Sequence, residues 1–99
     1  MNDLMAELDR RWRWMFTALA GGCDLPPACR LRAEGMMEAA VLLHLATPGE
    51  LLLAMDDCYR AAYGRGMVED FGEDWQDFQP FPQIPAVARR APVYPSTTD

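Results

Sequence analysis

The sequence contains no lysine, and all nine of its basic residues are arginines. They are outnumbered by fifteen acidic residues, which gives a net charge of −6. Nucleic acids and anionic membranes both attract clustered positive charge, so this balance argues against either as a partner. The absence of lysine removes the P-loop pattern, and the glycines form no Gly-x-Gly-x-x-Gly sequence. The arginine-only bias, with abundant alanine, glycine and proline, is typical of a GC-rich bacterial genome.

Cysteine and histidine are scarce. The three cysteines cannot all pair within one chain, and Cys23 and Cys29 lack the spacing of a zinc site. The single histidine, His44, has no Cys, His or carboxylate three or four residues away to share a metal. We therefore predict reduced thiols in a cytoplasmic protein, with no metal site, no cofactor and no catalytic site. A nucleophilic Cys58 would need a pocket that holds it together with His44.

Long apolar runs are also missing, and none approaches the roughly 20 residues that span a bilayer. Residues 10–23 place arginines, a short apolar stretch and a Gly-Gly-Cys sequence in the order of a lipoprotein signal. The apolar part is at the lower limit for such a signal, Ala20 stands where leucine is expected, and the preceding segment is acidic. We therefore interpret this region as a helix of a domain without a membrane partner.

Apolar residues at helical spacing predict a first helix that begins at residue 2 or 3 and ends near Ala20, before two glycines. One face of this helix carries Leu4, Met5, Leu8, Trp12, Met15, Phe16 and Leu19. Trp14 points to the opposite face. Two interpretations of Trp14 stay open: its indole lies on the stems of neighbouring charged residues such as Arg10, or it belongs to a protein interface.

The second helix is predicted after Pro26 and Pro27 and ends in an unusual way. Its charged stripe consists of Arg30, Glu34 and Glu38. Residues 39–46 are instead apolar nearly all round the helix. Such a helix end is buried by several neighbours or by a second copy of itself. We therefore expect a homodimer through the helix that contains Val41 to Leu45.

A capping box predicts the start of a third helix. Thr47 and Glu50 can each bond the backbone N–H of the other, and Pro48 suits the first helical position. One face of this helix carries Leu51, Leu52, Met55, Cys58, Tyr59 and Ala62. Gly64 is suited to the left-handed residue that ends a helix, so we expect the helix to end there.

Residues 67–79 carry five carboxylates and no basic residue. These acidic residues are Glu69, Asp70, Glu73, Asp74 and Asp77. They lack the alternating oxygen ligands and closing glutamate of a calcium loop. Val68, Phe71, Trp75 and Phe78 recur at helical spacing. This pattern predicts a short acidic fourth helix despite Gly72.

From Pro80 onward, repeated prolines favour an extended, polyproline-like arm. Phe78, Phe81, Ile84 and Val87 are spaced by three residues, which is the period of a polyproline helix. They would line one apolar edge of the arm. Either this edge lies back over the chain's own helices or it docks on another molecule, and the sequence leaves both alternatives open.

Together these patterns predict an all-α fold. We expect a small three-helix domain over residues 1–66. A short acidic fourth helix and an extended proline-rich arm follow over residues 67–87, packed on the core or on a partner. Residues 88–99 are expected to form a flexible tail.

The functional prediction is a non-catalytic protein-interaction or regulatory protein of the bacterial cytoplasm. The predicted partner-binding residues are Trp14, Phe71, Trp75, Phe78, Phe81 and Ile84. The predicted acidic patch is Glu69, Asp70, Glu73, Asp74 and Asp77. Two alternatives stay open: an acidic nucleic-acid mimic that blocks a basic groove of a DNA- or RNA-binding protein, and an accessory subunit of an enzyme.

Overall fold

The computed structural model describes residues 3–85, in which all regular elements are helices and no strand occurs. The elements are α1 (Asp3–Ala20), α2 (Pro27–Leu42), α3 (Pro48–Tyr63), α4 (Met67–Phe71) and α5 (Trp75–Phe78). The predicted all-α fold with three principal helices is therefore confirmed. Val87 and the predicted tail lie outside the described residues. Within residues 3–85, no helix has the apolar length that crossing a membrane requires.

The predicted apolar faces of α1 and α3 meet in the centre of the fold. Trp12 and Phe16 from α1, and Met55 and Tyr59 from α3, are at most 1 % exposed. The Phe16 and Tyr59 rings meet edge to face, with centroids 5.2 Å apart and an interplanar angle of 79°. Edge-to-face contact brings the positive edge of one ring to the negative face of the other. Helices α1 and α3 together form the centre of the core. Helix α2 packs against this pair through its contacts with α1.

The predicted boundaries of α3 are present at both ends. The Glu50 backbone N–H donates to Thr47 Oγ1 at 3.1 Å, and the Thr47 backbone N–H donates to Glu50 Oε1 at 2.8 Å. This is the reciprocal capping box expected from the sequence. At the other end Gly64 has φ of 78° and donates its N–H to the Arg60 carbonyl. The left-handed conformation there suits a residue without Cβ.

The end of α2 differs from the prediction, because the helix stops at Leu42 and does not continue through the apolar run. His44 adopts a left-handed conformation with φ of 58°. Its N–H donates to the Val41 carbonyl at 3.0 Å, and the Leu45 N–H donates to the Ala40 carbonyl at 2.9 Å. These two bonds form a Schellman motif, which turns the chain away from the helix axis. The turn leaves Leu42, Leu43 and Leu45 exposed outside the core.

Glu34 differs from the charged surface stripe expected for α2, since it is only 8 % exposed. Its Oε2 accepts hydrogen bonds from Arg30 Nη1 and from the Ile84 backbone N–H, both at 2.8 Å. Ile84 is itself 3 % exposed. A buried carboxylate is stable when charge-assisted hydrogen bonds satisfy it. The C-terminal arm therefore lies back over this chain, at least as far as Pro85, which is buried.

The predicted fourth helix is two short helices. Gly72, with φ of 95°, separates α4 from α5. The arm after α5 is also not a continuous polyproline edge, because the Gln83 N–H donates to the Pro80 carbonyl at 2.9 Å in a turn. Phe78 is consequently 74 % exposed while Ile84 is buried. Residues spaced by three thus point in different directions along this segment.

Candidate interaction surfaces

Two carboxylates of the predicted acidic patch have hydrogen-bond partners within the fold. The Asp70 carboxylate accepts hydrogen bonds from the Tyr59 hydroxyl and from Arg65, whose Nε lies 2.6 Å from Oδ1. The Asp70 side chain is 8 % exposed, and its hydrogen bond raises the pKa of Arg65. Glu69 Oε1 accepts the Gly66 backbone N–H at 2.7 Å, at the start of α4. Both carboxylates therefore hold the α4 region in place.

The other three residues of the patch, Glu73, Asp74 and Asp77, are exposed. Their side chains make no hydrogen bond or ion pair within residues 3–85. Three carboxylates within five residues produce a negative local potential that attracts cationic side chains. We call these residues, together with the neighbouring Phe78, the acidic surface. It is smaller than the patch that the sequence predicts.

The six predicted partner-binding residues fall into three groups. Phe78 and Trp14 are exposed, Phe71 and Phe81 are half-buried, and Trp75 and Ile84 are in the core. Trp75 is 5 % exposed because its large ring fills the space between α5 and the helical core, where apolar burial is favourable. Trp75 and Ile84 thus pack in the core of their own chain, and their role in partner binding stays a prediction. Phe71 packs near Tyr59, with ring centroids 5.9 Å apart.

Trp14 lies on the outer face of α1, as the helical spacing predicts, and is 55 % exposed. The neighbouring Arg10 and Arg11 both donate to the Glu7 carboxylate. Pairs three and four residues apart along a helix are neighbours, so these arginines are held along the helix surface. The indole remains accessible to a partner. Its role in an interface stays a prediction.

An apolar groove of about 200 Å³ lies between α3 and the α4–α5 segment. Its lining residues include Leu52, Leu53, Met67, Val68, Trp75 and Gln76. Leu53 and Val68 are 71 % and 47 % exposed. Gln76 is the neighbour of Asp77 in α5, so the groove adjoins the acidic surface. A partner could thus contact charged and apolar groups at once.

Asp56 joins the two walls of this groove. Its Oδ1 accepts the Met67 backbone N–H at 2.8 Å, and its Oδ2 accepts Arg60 Nε at 3.0 Å. The first bond satisfies a backbone donor at the start of α4, which has no partner within its own helix. A negative side chain at this position also interacts favourably with the helix dipole. Asp56 therefore fixes α4 against α3.

A second exposed apolar surface lies where α2 turns into α3. Leu42, Leu43 and Leu45 are 77 %, 63 % and 41 % exposed. A recess of about 270 Å³ beside them is lined by residues that include His44 and Pro48. We call the three leucines and this recess the corner surface. The sequence predicts that this region is covered by neighbours or by a second copy, and the described chain leaves the leucines uncovered.

Cys58 is buried between α1 and α3, and its thiol donates to Asp9 Oδ1 at 3.3 Å. The pKa of Cys58 is raised to about 12. Burial is the larger cause, and the hydrogen bond to Asp9 is the second. A hydrogen bond from Arg13 lowers the pKa of Asp9. The nucleophilic form of cysteine is the thiolate, which this environment disfavours.

His44 lies at the corner surface, away from Cys58. Cys58 lies eleven residues beyond the Thr47 cap of α3, which corresponds to roughly 16 Å along the helix. The structure thus does not bring together His44 and Cys58, the pair that a nucleophilic cysteine would require. Within residues 3–85, no group of three or more His, Cys, Asp or Glu side chains is arranged to hold a metal ion.

Sequence reasoning did not predict the groove, because its walls come from separate parts of the chain. A signal was present in Leu53, an apolar residue that lies off the predicted buried face of α3. Comparison with protein-family models, curated proteins and solved structures found no match to this chain. The functional argument therefore rests on the geometry of the described residues.

Proposed function

We propose that this chain is a non-catalytic protein-interaction or regulatory protein of the bacterial cytoplasm, and that its acidic surface binds a basic, partly apolar segment of another protein. Phe78 carries the proposal. Its ring is 74 % exposed and directly follows Asp77, with Asp74 nearby. Exposed aromatic rings are enriched where proteins bind one another. Carboxylates that have no partner among residues 3–85 determine which charged groups of a partner such a surface can bind.

The chemistry of the surface defines the partner segment. An arginine of the partner can stack on the Phe78 ring while its guanidinium bonds the Asp74 or Asp77 carboxylate. An apolar side chain of the same segment can enter the groove beside Leu53 and Val68. The groove volume of about 200 Å³ is suited to one or two side chains and not to a folded domain. We therefore expect a segment that combines basic and apolar residues.

The nucleic-acid mimic is less well supported. Duplex DNA carries one negative charge per about 1.7 Å of its axis, so a mimic needs a long array of free carboxylates. Asp70 is bound to Tyr59 and Arg65, and Glu69 caps α4, which leaves three carboxylates of the predicted patch free within residues 3–85.

An enzyme as partner would make this chain an accessory subunit. Free thiols at all three cysteines support a reducing compartment.

Capture of proteins from a bacterial lysate on the immobilised full chain tests this proposal. We expect the wild-type chain to retain a specific protein. Phe78→Ala, and separately a variant with Glu73→Gln, Asp74→Asn and Asp77→Asn, should each weaken retention at least about tenfold, equivalent to ~1.4 kcal/mol. Leu31→Ala and Glu38→Gln are matched controls, because both residues are exposed on α2.

Equal retention by the wild-type chain and by both acidic-surface variants would contradict the proposal. Salt distinguishes the alternatives, since screening weakens exposed charge pairs much more than apolar contacts. We expect a moderate loss of binding between low and physiological salt. Loss of binding as steep as that of a DNA-binding protein would favour the mimic instead.

A further inference from the structure

The corner surface presents three exposed leucines in an ordered turn. Single apolar side chains are ordinary on protein surfaces, but a contiguous group indicates a surface that another molecule covers. The Leu45 N–H bonds the Ala40 carbonyl at 2.9 Å and the His44 N–H bonds the Val41 carbonyl at 3.0 Å. These bonds fix the turn that carries Leu42 and Leu43 outward. The exposure is therefore a property of the fold over residues 3–85.

The charge pattern indicates which kind of molecule fits there. Residues 39–49 contain no Asp, Glu or Arg, although the whole chain has a net charge of −6. Two copies of an acidic chain repel each other over most of their surfaces. The carboxylate that lines the recess, Glu50, accepts the Thr47 backbone N–H at 2.8 Å, so contact through the corner surface would leave it with a hydrogen-bond partner. A basic partner would find only Glu50 in the lining of the recess, and that carboxylate already accepts the Thr47 N–H.

The shape of the surface favours a second copy of the same chain. The recess of about 270 Å³ lies between the end of α2 and the first turn of α3, beside the protruding leucines. Protruding side chains and a recess on one surface make that surface self-complementary. In a two-fold dimer, Leu43 of one copy can enter the recess of the other, and the reverse contact is equivalent.

We infer that the corner surface is a self-association surface whose occupant is a second copy of this chain, related by a two-fold axis. Leu42 and Leu43 of each copy pack against the recess of the other. The inference is independent of the proposed function, because the corner surface belongs to α2 and α3 and the acidic surface to the α4–α5 segment. Stable interfaces bury about 800 Å² per partner, and one helix corner is smaller, so the dimer is weak.

Sedimentation of the full chain from about 1 to about 200 µM tests the inference, since a weak dimer forms within this range. We expect the weight-average mass to rise from monomer toward dimer. Leu43→Glu and Leu42→Glu should each weaken association at least about tenfold, because each places a carboxylate in the contact. Leu31→Glu is the matched control: this leucine is 56 % exposed, lies on α2 outside the corner surface, and should leave association unchanged.

A wild-type chain that stays monomeric at every concentration overturns the inference. So does association that Leu42→Glu and Leu43→Glu leave as strong as before. Salt gives a test that does not depend on variants, because screening reduces the repulsion between acidic copies and leaves apolar contact intact. Association should persist or strengthen at high salt. Dissociation by salt would show that charge pairs, and not the corner leucines, join the copies.

Discussion

The Cys58 thiol is buried between α1 and α3, where it faces the carboxylate of Asp9. A thiolate there would lose its hydration and would meet a like charge at hydrogen-bond distance, so the proton is retained. Asp9 is in turn bonded by Arg13 at 2.8 Å. The arrangement joins α1 to α3 through a hydrogen bond whose donor is the neutral thiol. The contact between α1 and α3 therefore depends on pH through the protonation of Cys58.

Stability should consequently fall in alkaline solution. The pKa of Cys58 is about 12 in the folded chain and about 8.5 in an unfolded chain. Because the folded-state pKa is the higher one, this contribution is complete below about pH 8.5 and is lost as pH rises toward 12. Between pH 8 and pH 10 we expect a loss of about 2 kcal/mol that is absent in Cys58→Ala, measured by urea denaturation.

Cys23→Ala is the control for this measurement, because Cys23 is exposed on the surface and lies outside the core. It should keep the pH dependence of the wild-type protein. The same alkaline loss in Cys58→Ala as in the wild type would show that another group is responsible.

At the level of elements, the ends of α1 and α2 have the same backbone motif with different residues at its centre. After α1, the Cys23 N–H donates to the Ala18 carbonyl at 2.9 Å, and Gly22 has φ of 91°. After α2, His44 stands in the corresponding place with φ of 58°. Glycine enters this region without a steric cost, whereas a residue with Cβ is strained there. The end of α2 is therefore formed despite a local cost.

Substitution at the two positions should have opposite effects. We expect His44→Gly to raise the free energy of unfolding by about 0.5 to 1 kcal/mol, since relief of left-handed strain exceeds the entropy that glycine loses. Gly22→Ala should lower it by about 1 kcal/mol or more. Thermal denaturation by circular dichroism measures both. If His44→Gly is destabilising, the imidazole contributes contacts that outweigh the backbone strain.

In the whole molecule, the segment after α3 completes the core. Met67, Trp75 and Ile84 belong to the same buried cluster as the central residues of α1 and α3. Glu34 on α2 bonds the Ile84 backbone N–H across 50 positions of sequence. Burying these side chains offsets the entropy of ordering the segment. We therefore expect residues 67–85 to unfold together with the three principal helices.

Two variants distinguish unfolding of residues 67–85 together with the helices from separate detachment of a weakly docked arm. Ile84→Ala should lower the free energy of unfolding by about 2 to 4 kcal/mol, because Ile84 is buried in the core. Phe78→Ala should change it by less than about 0.5 kcal/mol, because the Phe78 ring is exposed. Tryptophan fluorescence and circular dichroism should report a single coincident transition in both. An early fluorescence change in the wild type, before helicity is lost, would mean that the arm detaches by itself.

The sequence by itself determined the features that depend on near neighbours along the chain. The extent of α1 and the buried faces of α1 and α3 follow from helical periodicity. The start of α3 follows from Thr47 and Glu50, and its end from Gly64, because capping is a contact between residues a few positions apart. The exposure of Trp14 follows from its angle on α1. The all-α class is the sum of these local signals.

Tertiary structure alone decided which carboxylates are free and which are bound. Asp70 and Asp77 look alike in the sequence, but Asp70 meets Tyr59 and Arg65 while Asp77 meets solvent. The same holds for Glu34, whose partner Ile84 comes from the far end of the described chain. Free energies of burial and pairing depend on groups distant in sequence, which local periodicity does not encode. The groove and the corner surface arise in the same way, from helices that meet only after folding.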